Sequence, residues 1–164
     1  MRALIVYVSK FGNTKRVVQA IADAMKQTAD IRVVSIDQLA ASDFAGVDLV
    51  VAGSPTHGFT IPESVRSALA ALPPGILSGK SVAAFDTTVR PWPLRLFRAA
   101  PKLLRQLSQL GGRPVACPQT FFVQTGSTQG TGERDLLLAG QIERAQEWTD
   151  QILRELRTWA EHVS

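Results

Sequence analysis

The sequence predicts an α/β protein, a doubly wound, five-stranded parallel sheet with helices on both faces in three layers. Three observations carry this. The apolar runs are short, continuous and rich in β-branched residues, as strands buried on both faces are. Between them lie stretches whose apolar residues recur at helical spacing. The two kinds of segment alternate along the chain, without an internal repeat or a low-complexity linker, which is the pattern of a parallel sheet crossed over by helices.

Each element follows from its residues. Ala3 to Val8 (ALIVYV) is an unbroken apolar run and predicts a central parallel strand. Val17, Val18, Ile21, Ala22 and Met25 then repeat on one helical face, so a helix is expected from about Thr14 to Lys26, capped by Gly12 or Asn13. Ile31 to Ile36 and Leu49 to Ala52 read as strands, Pro62 to Leu72 as a helix and Ser81 to Phe85 as the fourth strand. Leu96, Leu103, Leu104 and Leu107 predict a helix over Leu94 to Leu110, which Pro101 breaks or kinks. Phe121 to Val123 is the last strand. A closing helix over roughly Glu133 to Glu161 carries Leu137, Ile142, Ala145, Ile152, Leu156 and Trp159 on its apolar face, with Gly140 interrupting its first turns.

The totals bound what such a chain can be. Its 164 residues suit one domain, 1–164, large enough to bury a layered core without staples. A composition 45% hydrophobic and 20% charged excludes a disordered chain. Cys117, the single cysteine, permits neither an internal disulfide nor a cysteine-rich metal site, and a reducing cytoplasm is the expected compartment. The opening residues lack a cleavage pattern, so no signal peptide is expected. Nowhere do about eighteen apolar residues run together, which excludes a transmembrane helix and leaves peripheral membrane contact open.

In a doubly wound sheet, ligands sit beyond the carboxyl ends of the strands, where strand order reverses. Three loops are therefore candidates. The first, Ser9-Lys10-Phe11-Gly12-Asn13-Thr14, leaves a buried strand and opens a helix, so its backbone N–H groups and the helix dipole converge on one point suited to a phosphate. Gly12 lets the chain approach closely, and the hydroxyls of Ser9 and Thr14 with the amide of Asn13 supply donors, so Lys10 is optional. A plain polar-capped turn would use the same residue types. Neither the three glycines of a dinucleotide fingerprint nor the Gly-Lys-Ser/Thr of a P-loop is present.

Tyr7-Val8-Ser9-Lys10-Phe11-Gly12-Asn13-Thr14-Lys15 resembles the phosphate-loop signature of the flavodoxins. The resemblance extends over nearly the whole chain, including Gly140 to Ala145 and Trp148 in the last helix. It implies non-covalent FMN, a five-stranded parallel sheet, and either electron carriage between proteins or flavin-dependent reduction. It also assigns the other two loops. Gly53-Ser54-Pro55-Thr56-His57-Gly58-Phe59 resembles the segment that lies along the flavin ring, with Pro55, Thr56, His57 and Gly58 as contacts and the Gly58 peptide free to turn toward flavin N5. His57 is equally a solvent-facing loop histidine or a proton donor. Asp86-Thr87-Thr88-Val89-Arg90-Pro91-Trp92 corresponds to the loop on the other side, with Thr87 and Thr88 as contacts and Trp92 either stacked on the ring or packed under the next helix.

Asp86 at a strand end also suggests a phosphoacceptor of receiver domains. That chemistry needs an acidic pair after the first strand to hold Mg²⁺, and Ser9 and Lys10 stand there instead.

One property departs from the resemblance. Electron-carrying flavodoxins are acidic, whereas this chain has a net charge of +4 and no acidic residue between Thr87 and Gly132. Arg95, Arg98, Lys102 and Arg105 fall at helical spacing on one face beside the third loop. That face would attract an acidic redox partner, an anionic small acceptor or an anionic membrane surface, or it is simply solvated. Lacking interleaved aromatics or a recognised module, it does not point to nucleic acid. Two functions are thus expected: an FMN electron carrier, or an FMN-dependent reductase of a quinone or similar acceptor in which His57 or Arg90 orients the substrate.

Overall fold

Alternation along the strands divides the core into two layers. On β1 (Arg2–Tyr7), Ala3 and Ile5 point to one face of the sheet and Leu4 and Val6 to the other. The same division holds on β3 (Leu49–Pro55) and on β4 (Ser81–Val89), whose Ala83 and Phe85 oppose Val82 and Ala84. Strands apolar on both faces can only be central and covered twice, and helices cover both sides. The computed structural model describes residues 1–56, 60–89, 98–124 and 136–163. Helices α1 (Asn13–Met25) and α4 (Gln141–Val163) cover the face that carries Ile5 and Phe85, and α2 (Glu63–Ala70) and α3 (Ala99–Gln109) cover the other.

The sheet runs β2-β1-β3-β4-β5, with β2 over Asp30–Ser35, and every strand pair is parallel. The five expected strand positions are present, the fifth in two pieces. β5 (Arg113–Pro114) pairs with Ser81 and Val82, and β6 (Gln119–Val123) pairs with Phe85 to Val89 on the same side of β4. Pro114 and Pro118 bracket the interruption, and neither has an N–H to give a ladder. The intervening carbonyl of Cys117 is instead taken by the indole N–H of Trp148, at 3.1 Å. Trp148, Phe85 and Phe121 meet edge to face with ring centroids 5.6–6.3 Å apart, which ties α4 to the sheet.

Several expected boundaries need correction. The third strand does not stop at Ala52 but continues through Gly53, Ser54 and Pro55, laddered to Phe85, Asp86 and Thr87 of β4, and the Phe85 ring lies over Gly53 where a side chain would be. The fourth strand likewise continues past Phe85, through Asp86 and Thr87 laddered to both β3 and β6 and through Thr88 and Val89 laddered to β6. Half of the expected third loop is therefore strand. The helix expected from Leu94 begins among the described residues only at Ala99, which puts Pro101 in its first turn, where it neither breaks nor kinks anything. The last helix starts at Gln141, just after Gly140 at φ +79°, and Leu137 forms an antiparallel bridge to Val123 instead of joining the helix.

Two 3₁₀ turns, Ile36–Gln38 and Ala41–Phe44, were not expected. They carry the chain from β2 back to β3 and bury Phe44, while Asp43 pairs with Arg32 at 2.7 Å.

Candidate functional site

The chain leaves β1 for β2 on one side and returns to β3 on the other, so a crevice opens beyond the carboxyl ends of β1 and β3. Tyr7 pairs with Gly53, and the Val8 N–H donates to the Gly53 carbonyl at 3.1 Å, which holds the first loop beside the second. The α1 N-terminus is built around Gly12, which caps the helix at φ +86° and whose carbonyl accepts the Arg16 N–H at 3.0 Å. A side chain at that φ costs roughly 1–2 kcal/mol. The Ser9 hydroxyl oxygen accepts from the Gly12 N–H at 3.1 Å and the Lys15 N–H at 3.4 Å and so closes the loop on itself.

Asn13 and Thr14 are buried rather than free surface donors. The Asn13 Oδ1 accepts the Leu136 N–H at 3.0 Å, which anchors a segment 123 residues away and leaves the amide nitrogen to donate. The Thr14 hydroxyl lies 2.9 Å from that of Thr87, joining the first loop to the end of β4. Lys10 is exposed, with its Nζ 5.4 Å from the half-buried Phe11 ring.

Pro55 ends β3, and Thr56 ties it to β4. The Thr56 N–H donates to the Thr87 carbonyl at 2.9 Å, and its hydroxyl donates to Asp86 Oδ2 at 2.9 Å while accepting the Ala99 N–H at 3.2 Å. Thr87 is buried, and Thr88 is half-buried. His57, Gly58, Arg90, Trp92 and Arg95, all named from the sequence, lie outside the described residues. The structure thus brings Ser9, Gly12, Asn13, Thr14, Pro55, Thr56 and Thr87 to one edge of the sheet.

Sequence reasoning missed the part that Asp86 plays. It is fully buried, and its Oδ2 also accepts the Ala100 N–H at 3.0 Å. α3 begins Arg98-Ala99-Ala100-Pro101, with no Ser, Thr, Asp or Asn to cap it. That gap was the available signal, since an uncapped buried helix start must find acceptors elsewhere. The expected basic stripe is also revised. Arg98 precedes the helix, its guanidinium 5.7 Å from the Phe122 ring, so among the described residues only Lys102 and Arg105 of that set lie on α3.

A model of the flavodoxin domain matches residues 4–89, just over half of the chain. The chain belongs to the flavodoxin-domain family. No curated protein sequence matches it significantly. Among solved structures, this flavodoxin-domain protein is similar to oxidised flavodoxin 2 from Bacillus cereus, with a TM-score of 0.74 and 18% identity over 94% of this chain and 99% of that one. Oxidised flavodoxin 1 of the same organism gives 0.72 and 19% over 94% and 98%. Rubredoxin oxygen:oxidoreductase from Desulfovibrio gigas gives 0.74 and 18% over 96% of this chain, which spans only 36% of that protein. At such identities the likeness is one of fold.

The loop fits the phosphate of a flavin mononucleotide. It has hydroxyl, amide and first-turn N–H donors, and neither a carboxylate nor a bulky side chain stands among Ser9 to Thr14 apart from Phe11 and Lys10, of which Lys10 is exposed. Among the described residues no helix is long and apolar enough to cross a membrane.

Proposed function

We propose that this protein is an FMN-binding redox domain, residues 1–164, that carries electrons between partner proteins in the cytoplasm. The observation that carries the reading is the phosphate cradle, with Gly12 at positive φ and Thr14 pinned to Thr87 at the strand-order reversal. FMN bound there supplies one- and two-electron transfer. The protein's own part is binding and orientation. First-turn N–H groups of α1 and the helix dipole neutralise the phosphate, and the Ser9 and Thr14 hydroxyls and the Asn13 amide nitrogen donate to it. On the family's pattern, Pro55, Thr56, His57 and Gly58 would contact the flavin from one side and Thr87, Thr88 and Trp92 from the other. Arg98, Lys102 and Arg105 favour an acidic partner.

The test is a visible absorption spectrum after FMN is added to the apo-protein. Uptake giving a yellow protein is expected, and Thr14→Val should weaken it about tenfold, as loss of one buried hydrogen bond does. A colourless protein that takes up no flavin refutes the reading. A yellow protein that oxidises NAD(P)H with a quinone, without a separate reductase, is instead the reductase, with His57 or Arg90 orienting the substrate.

A further inference from the structure

We propose that Asp86 is a positioning residue for the flavin site, holding the second and third loops in register through the first turn of α3. The inference rests on the FMN reading above. Its ground is where the first N–H groups of α3 go. The first N–H of the helix, Ala99, goes to the Thr56 hydroxyl; the second, Ala100, goes to Asp86 Oδ2; the third residue, Pro101, has none to place. Thr56 in turn donates to the same Oδ2 and takes the Thr87 carbonyl through its N–H. One carboxylate oxygen on β4 thus joins the residue that follows β3 to the start of α3.

Geometry alone does not require a charge here, since Asn would accept the same two bonds. Asp86 is completely buried, and its Oδ1 finds no partner among the described residues, a costly arrangement that shape does not explain. The positive end of α3 offsets part of that cost. What a carboxylate can bring here and an amide cannot is negative charge near the carboxyl ends of the strands, which would oppose the charge that reduction brings to a bound flavin. Being buried, it is little screened by salt, unlike the surface arginines.

Asp86→Ala, Asp86→Asn and Thr56→Val separate the two contributions. Measured on the apo-protein, amide exchange at Ala99 and Ala100 should quicken at least tenfold in D86A, quicken at Ala99 in T56V, and stay near wild type in D86N. FMN affinity should fall about tenfold in D86A and recover in D86N. The flavin midpoint potential of D86N should be more positive than wild type, by the same amount at low and high salt. If D86A does not fold, T56V carries the anchoring arm and D86N the charge arm. Wild-type protein that binds no FMN overturns the flavin reading and leaves nothing for Asp86 to position. FMN bound equally by all variants, with unchanged exchange and an unmoved potential in D86N, overturns the positioning role alone.

Discussion

At the scale of single residues, Gly53 shows how close packing decides sequence. A Cβ built there would lie 2.2 Å from the Phe85 ring, and Phe85 is itself held by Phe121 and Trp148, so it cannot move aside. Gly53→Ala should cost about 1–3 kcal/mol in urea unfolding. It should also weaken FMN binding, because the Gly53 carbonyl holds the first residue after β1. Unchanged stability would mean the ring yields. Gly12 differs, since its demand is conformational. Gly12→Ala should lose about 1–2 kcal/mol, with FMN affinity falling more than stability, as the cradle is built on that one turn.

Among elements, α3 is the informative case. A proline in a helix interior costs about 3 kcal/mol or more, yet Pro101 stands where the helix has no hydrogen bond for it to remove. Pro101→Ala should therefore change the unfolding free energy by less than about 1 kcal/mol, checked by thermal or urea denaturation. The sequence indicated this helix and misjudged its start, because propensity and periodicity are local and its caps come from Thr56 and Asp86. The same limit explains the other misplacements. β1, β3 and β4 were legible as apolar runs, but their polar ends, Ser54 and Asp86 to Thr88, are held in strand by neighbours that only the fold assembles. The first loop was legible because its glycine, hydroxyls and helix start are contiguous. The pairings of Thr14 with Thr87 and Asn13 with Leu136 span 73 and 123 residues, and nothing local announces them.

For the whole molecule, the net charge of +4 sets an electrostatic expectation. Surface cations beside the third loop favour the added negative charge of the reduced flavin, so the protein should be less reducing than acidic relatives. Potentiometric titration should find the second couple more positive than theirs, with the difference shrinking as salt rises toward about 1 M, where the screening length is only about 3 Å. Couples as negative as those of acidic flavodoxins would remove the idea.

The closing of the sheet at β6 has a counterpart in self-association. There the Phe122 N–H is taken by the Gln141 side chain, its carbonyl accepts the Leu138 N–H, and the Gln124 N–H donates to the Leu136 carbonyl, so these groups are closed to an added strand. Among the described residues the opposite margin, β2, pairs only with β1, and it shows Val33 at 44% exposure between Arg32 and the buried Val34. Arg32, paired with Asp43, puts a charge on this margin, and charge on an edge strand opposes edge-to-edge stacking. An Arg32→Val variant at high concentration should scatter light and form oligomers where the parent stays dispersed, and any such assembly should grow from one margin only.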